Sequence, residues 1–270
     1  MSALPIGVFD SGIGGLSVLK ALRARLPAEN FIYLGDTARL PYGTKTAGTV
    51  ERYALQAVDE LTRRGVKAIV IACNTASAAA LPALKEANPD LPVIGVIAPG
   101  AEAAVAATRT GRIAVLATEG TVRGGAYQRE ILNRLPQAQV VAVPATLFVA
   151  LAEEGWIQGE VVTATARRYL SPLLGHADTA PDVLVLGCTH FPPLAEVIQQ
   201  VAGDVCIVDS AVTTAEALAR LLSARNLANT SAGSGSTRFL VTDGEERFAR
   251  VGPVFLGRGI APEEVERIDL

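Results

Sequence analysis

The sequence predicts an α/β protein of two pseudo-twofold-related domains. Each is a mostly parallel sheet with helices on both faces, and the active site lies in the interdomain cleft. Three observations point there. Short apolar strands alternate with amphipathic helical segments, the pattern of parallel sheets covered by helices. Two apolar runs end alike: "VIACNTAS" at Val70–Ser77 and "LVLGCTHF" at Leu184–Phe191 each meet a cysteine followed within two residues by a threonine. "VFDSG" at Val8–Gly12 is echoed by "IVDSA" at Ile207–Ala211.

Strands are expected at Ile6–Phe9, Phe31–Gly35, Ala68–Ala72, Val93–Ile97, Ile113–Ala117, Val140–Val143, Val183–Gly187, Val205–Val208 and Phe239–Thr242. Val50, Tyr53, Ala54, Ala57, Val58 and Leu61 recur at helical spacing, and Gly65 suits the helix end. Ala98–Thr110 reads as an alanine-rich helix. Thr213 with Glu216 three residues on has the form of a capping box opening a helix through Leu222. "ANTSAGSGS", Ala228–Ser236, reads as a polar surface loop. The chain is expected to leave the first domain near residue 98 and return near 208. That gives a discontinuous first domain of residues 1–97 and 209–270 and a second of 98–208.

Composition removes several function classes. Net charge is −3 and no basic run stands out, so neither nucleic acid nor an anionic membrane is an expected partner. The apolar runs are strand-length, far short of a membrane span. The N-terminus shows no basic segment or apolar signal core, so a cytoplasmic protein is expected. Three widely spaced cysteines, Cys73, Cys188 and Cys206, do not form a disulfide framework. Cys206, inside the strand "VCIVD", is expected in the core.

In open parallel sheets, ligands bind beyond the carboxyl ends of the strands. Asp10, Asp36, Cys73, Cys188 and Asp209 all follow strands, so facing sheets would bring them to one cleft. "DSGIGGLSVL" is a strand-to-helix turn, but Ser17 stands where a dinucleotide fingerprint has Gly or Ala. In "GDTARLPYGTK", Pro41-Tyr42-Gly43 offers a rigid turn with backbone donors and one phenol. A thiol at a helix N-terminus has a lowered pKa and serves as base or nucleophile. Two thiols beside Asn74, Thr75, Thr189 and His190 suit either of two chemistries. Cys/Cys/His ligation suits zinc, although Cys188-x-His190 is a short spacing and no Cys-x-x-Cys exists. Alternatively, inverting a stereocentre by moving one proton needs an acid and a base on opposite faces.

"GVFDSGIGGLSVL", "GDTARLPYG", "ACNTAS", "ATEGTV", "EEG" and "GCTHFPPL", in that order, closely resemble the aspartate/glutamate racemase superfamily and within it cofactor-independent glutamate racemases. The resemblance spans about residues 6–215. It implies interconversion of L- and D-glutamate, with Cys73 and Cys188 as the acid/base thiols. The first would deprotonate the D isomer and the second the L isomer. It implies that Asp10 assists Cys73, and that His190, with Glu153 behind it, assists Cys188. Asp10, Ser11, Pro41, Tyr42, Gly43, Asn74, Thr75 and Thr189 fall where the family holds substrate, with Thr118 and Thr121 adding contacts from the second half. It implies no cofactor and no metal, a supply of D-glutamate to peptidoglycan, and pairing as a homodimer. The four lysines, Lys20, Lys45, Lys67 and Lys85, lie in no recognisable pyridoxal-phosphate context. Phe191 and Pro193 stand where many members have Tyr and Leu. The N-terminal extension of members activated by a cell-wall nucleotide precursor is lacking, which puts that regulation in doubt.

Rival readings remain at this level. A racemase of aspartate or another related acid shares the motifs. A solute-binding protein also has two lobes around a cleft, but leaves both thiols unexplained and expects a secretion signal. A zinc hydrolase would use the same cysteines as ligands.

Overall fold

The computed structural model describes residues 2–176 and 178–270. In chain order the elements are β1 Ile6–Asp10, α1 Leu16–Arg25, β2 Phe31–Gly35, α2 Ala47–Arg63, β3 Ala68–Ile71, α3 Asn74–Ala87, β4 Val93–Gly95 and α4 Ile97–Ala107. There follow β5 Arg112–Ala117, α5 Glu119–Gly124, α6 Ala126–Arg134, β6 Gln139–Pro144, α7 Leu147–Glu153, α8 Glu160–Leu174, β7 Val183–Gly187 and α9 Ala195–Ala202. The last are β8 Cys206–Asp209, α10 Ser210–Ala224, β9 Thr237–Val241, α11 Glu245–Leu256 and β10 Val265–Arg267.

The strands form two sheets, one of six in the order β10-β9-β2-β1-β3-β4 and one of four in the order β6-β5-β7-β8. Every pairing is parallel. The expected fold class is therefore the observed one. Strands β1, β2, β3 and β7 are buried end to end. A parallel strand covered on both faces needs such an unbroken apolar run.

The order β2-β1-β3-β4 in the first sheet matches β6-β5-β7-β8 in the second. In each, the first strand is central, the second flanks it on one side, the third on the other, and the fourth lies outside the third. Cys73 follows β3 and Cys188 follows β7, so the two thiols occupy equivalent places. The echo of "VFDSG" in "IVDSA" does not mark this repeat. It pairs β1, a central strand, with β8, an edge strand.

One buried apolar cluster includes strands of both sheets, joined through α1, α4 and α10. A second lies on the other face of the six-stranded sheet, where Val50, Ala54, Ala57, Val58 and Leu61 of α2 cover Phe9, Ile32 and Leu34. Gly65, at φ +74°, takes the left-handed turn that ends α2.

Several expectations are corrected. Ile97 is the first residue of α4, not the end of a strand. Helix α10 starts at Ser210 because the Asp209 carboxylate accepts the Ala211 N–H at 2.7 Å. Thr213 is already inside that helix and donates its hydroxyl to the Ser210 carbonyl, so it opens no capping box. Cys206 is exposed, because it begins the edge strand β8, whose burial is incomplete. Strand β10 went unforeseen: "VER" is short and polar, and it pairs in parallel only at the margin beside β9.

Candidate active site

The carboxyl ends of β1, β2 and β3 face those of β5, β6 and β7 across a cavity of about 310 Å³. Of the residues expected there, Ser11, Pro41, Tyr42, Gly43, Cys73, Asn74, Thr75, Thr118, Glu153, Cys188, Thr189 and His190 line it. Asp10 and Thr121 do not; both are buried behind its wall. A more open cavity of about 470 Å³ lies between α8 and α9, and it contains none of these groups.

The β1–α1 turn forms one wall. The Gly12 N–H donates to the Asp10 carboxylate at 2.9 Å, and the Thr189 hydroxyl reaches the other oxygen at 3.4 Å. A Cβ at Gly15 would stand 2.4 Å from the Asp10 Cβ, and one at Gly14 2.4 Å from His190 Nδ1. The two glycines let the turn close over Asp10 and lie against the opposite sheet's His190. Burial pushes the Asp10 carboxyl above its ordinary range, against the pull of the nearby His190 charge and its hydrogen bonds.

Cys73 is the N-cap of α3. Its sulfur accepts the Ala76 N–H at 3.4 Å and lies 3.5 Å from the Ser11 hydroxyl. Burial, then the Asp10 charge, push this thiol up to about 12. The lowering expected of a helix terminus is outweighed, because desolvation penalises the thiolate more than two weak hydrogen bonds favour it.

The next residues supply donors. Asn74 accepts the Tyr127 hydroxyl at 2.8 Å, while its buried amide nitrogen has no protein partner among the described residues. The hydroxyls of Thr75, Thr118 and Thr121 lie within 3.0–3.2 Å of one another and join α3 to α5 across the cleft. Gly43 packs on Thr118, where a Cβ would come to 2.8 Å. The Tyr42 hydroxyl donates to Asp36, so the phenol lines the cavity with its hydroxyl tied to the scaffold. Asp36 also receives Arg39 at 2.7 Å and the Thr242 hydroxyl at 2.9 Å. Asp36 and Asp209 thus serve the scaffold, contrary to their expected convergence with the thiols.

On the opposite wall, Cys188 follows β7 and is buried. His190 Nδ1 lies 3.8 Å from its sulfur, and His190 Nε2 lies 3.0 Å from Glu153 at the end of α7. Arg247 of α11 meets the other Glu153 oxygen at 3.0 Å. Burial alone would favour a neutral imidazole, but the Cys188 and Glu153 contacts outweigh it and hold His190 up to about 10. Burial likewise opposes ionisation of Glu153, yet His190 and Arg247 bring it below its ordinary value.

Thr146, Val149 and Ala150 also line the cavity and were not foreseen. A signal existed. With Glu153 they fall at i, i+3, i+4 and i+7, one face of a helix. Among the described residues, no group of three His, Cys, Asp or Glu side chains is arranged to hold a metal ion. No helix among them is long and apolar enough to cross a membrane.

Residues 6–218 match the family described as Asp/Glu/Hydantoin racemase. A glutamate racemase of Neisseria meningitidis serogroup B is 49% identical over 266 residues, covering 98% of this chain and 97% of its own length. The crystal structure of a glutamate racemase from Francisella tularensis, solved in complex with D-glutamate, superposes with a TM-score of 0.91 at 38% identity. It covers all of this chain and 98% of that one. The RacE1 isoform of glutamate racemase from Bacillus anthracis gives a TM-score of 0.93 at 35% identity, over 100% and 99% of the two chains. With the two thiols at equivalent strand ends of one cavity, these matches lead to one conclusion: the chain belongs to the Asp/Glu/Hydantoin racemase family.

Proposed function

We propose that this protein interconverts L- and D-glutamate by a two-thiol proton transfer at the α-carbon. The observation that carries this reading is the placement of Cys73 and Cys188 at equivalent ends of two sheets, on one shared cavity. In the L-to-D direction, Cys188 as thiolate takes the α-proton. The C–H electron pair moves toward the substrate carboxylate. Cys73 as thiol then delivers its proton to the opposite face. The enzyme is left with a thiol at 188 and a thiolate at 73, the form that accepts the D isomer.

The electrostatics of the site suit a start from the L isomer. Cys73 holds its proton at neutral pH, and the Cys188 sulfur faces the His190 cation. Asp10 acts behind Cys73, and Glu153 behind His190. The α-proton of an amino acid is very weakly acidic, so stabilisation of the developing charge must lower the barrier. The unpartnered Asn74 amide and the hydroxyls of Thr75, Thr118 and Thr189 are the donors placed for it, with Ser11 and the Pro41–Gly43 turn closing the site. Thr121 supports Thr75 and Thr118 from behind.

The two domains are read as residues 1–97 with 209–270, and 98–208; the division of strands between the sheets supports this partition to within one residue, Asp209 being the last of β8. The product's proposed use is as D-glutamate for peptidoglycan. Two free buried thiols suit a reducing cytoplasm. A homodimer is the proposed assembly, to be read by light scattering.

Circular dichroism of L-glutamate with the purified protein and EDTA tests the reaction. The signal should decay to zero, while L-aspartate keeps its signal. Cys73→Ala and Cys188→Ala should each abolish decay in both directions. An unchanged L-glutamate signal with wild-type protein sinks the proposal.

A further inference from the structure

Helix α11 belongs to the six-stranded sheet. Its Phe248 is buried, with ring centroids 5.9 Å from both Tyr33 and Phe239. Yet its stripe Arg247, Val251 and Phe255, at i, i+4 and i+8, reaches toward the other sheet's relay. The Phe255 ring stands nearly perpendicular to the His190 imidazole, at 5.3 Å between centroids. Arg247 meets Glu153 Oε2 at 3.0 Å, and Glu153 Oε1 meets His190 Nε2 at 3.0 Å. Four side chains therefore run in line from Arg247 through Glu153 and His190 to Cys188. Arg247, one end of that line, is carried by the opposite sheet.

We propose that Arg247 is a positioning residue: its guanidinium fastens Glu153 across the junction of the two sheets, and so fixes the His190 imidazole in the orientation that serves the Cys188 sulfur. The proposal rests on the racemase reading for its chemical purpose, but the linkage itself is a property of the protein alone. A carboxylate has two oxygens, and here each has one task. If Oε2 loses its partner, Glu153 is free to rotate toward the small cavity of about 230 Å³ that it shares with Glu154, Arg247 and Arg250. His190 then loses its Nε2 acceptor for part of the time. The charged or titratable groups that bear on His190 are Cys188 on its own turn, Glu153 on α7, Asp10 after β1 and, through Glu153, Arg247 on α11. Removing a cation usually makes a nearby base easier to protonate. Here the opposite sign is expected, because Arg247 acts through the anion that holds the imidazolium.

The chain has only two histidines, so ¹⁵N-imidazole NMR resolves the linkage directly. His176, exposed and outside the relay, is the internal control. In Arg247→Ala the His190 midpoint should fall by roughly half a pH unit, about a threefold change in the protonation ratio, as suits a partly exposed ion pair. His176 should not move, and Arg247→Lys should keep most of the wild-type value. In glutamate racemisation, Arg247→Ala should lower kcat about threefold with KM within about twofold. The alkaline limb of its kcat–pH profile should move the same way as the NMR midpoint. Identical His190 midpoints in all three proteins overturn the proposal. So does a shift shared by His176, or a Lys variant no better than Ala. If the wild-type protein fails to racemise glutamate, the functional reading falls, while the NMR midpoints still judge the Arg247 linkage.

Discussion

Cys73 and His190 are buried groups that hold their protons more tightly than the same groups do in an unfolded chain, and that has a consequence for stability. The His190 value rises from 6.5 to about 10, so its contribution is fully present below about pH 6.5 and is lost as pH climbs toward 10. The Cys73 value rises from 9.0 to about 12, so its contribution is present below 9 and is lost on the way to 12. Both act in the same direction. The free energy of urea unfolding, and with it the midpoint, should fall steadily from pH 7 to pH 10, with a slope approaching about 1.4 kcal/mol per pH unit, the linkage of one proton, below pH 9 and a steeper one above it, where Cys73 adds to His190. In His190→Gln the slope over that window should flatten. A wild-type midpoint independent of pH between 7 and 10 would contradict the charged, paired imidazole. Gly14 gives a second test. A methyl group there would meet His190 Nδ1 at 2.4 Å and the Thr189 hydroxyl at 2.6 Å. Gly14→Ala should cost about 1–3 kcal/mol in urea unfolding, as overpacking does, and lower kcat more than ten-fold. The placement of the cysteines and His190 at the cavity, and of the glycines in the turn beside it, was legible in the sequence because each follows an apolar strand run. The upward shift at Cys73 was not. It follows from burial beside Asp10, which residue spacing does not reveal.

Strand-to-helix junctions decide which polar residues serve the cavity. Asp10 and Asp209 end β1 and β8 in nearly the same words, "VFDSG" and "IVDSA". Asp10 turns its carboxylate onto the Gly12 N–H, beneath the cavity wall. Asp209 caps α10 through the Ala211 N–H. The difference lies in the following residues. Gly12, Gly14 and Gly15 postpone α1 until Leu16, whereas Ser210 starts α10 at once. Asp209→Ala should therefore cost about 1 kcal/mol in urea unfolding, the worth of an N-cap, and leave KM for glutamate unchanged. A KM raised ten-fold would place Asp209 in the substrate site after all. Most strands were readable to within two residues, since buried parallel strands are continuous apolar runs. Strand β10 was not, because its stability comes from pairing with β9 and its three residues have no apolar pattern. The Thr146, Val149, Ala150 and Glu153 face was readable only once Glu153 was placed on a helix.

The repeated winding order of the two sheets makes the whole molecule more than two lobes in contact. Strands of both contribute to one apolar cluster, with α1, α4 and α10 between them. The Ser17 hydroxyl of α1 donates to the Thr189 carbonyl beside the second thiol, at 2.9 Å. A chain of two independent domains would melt in two steps, as multidomain proteins often do. This one should show a single calorimetric transition, with van't Hoff and calorimetric enthalpies in agreement; two resolved transitions would mean that the shared cluster does not couple the sheets. Under the proposed two-thiol mechanism, the same arrangement separates the two proton-transfer groups by face. One thiol belongs to each sheet, and each has a single proton to exchange. A thiol that has taken the α-proton cannot hand it to the other face. In D₂O, the D-glutamate first formed from L-glutamate should therefore carry deuterium at the α-carbon, while the remaining L-glutamate stays largely protiated. Mass spectrometry of each isomer at under about ten per cent conversion reads both quantities, because re-exchange from accumulated product is then small. If one group served both faces, early D-glutamate would retain the substrate's own proton. If the base exchanged with solvent before the product formed, recovered L-glutamate would be deuterated as fast as product appears. The paired cysteines at equivalent strand ends require neither outcome, and run from D-glutamate the experiment should give the mirror result.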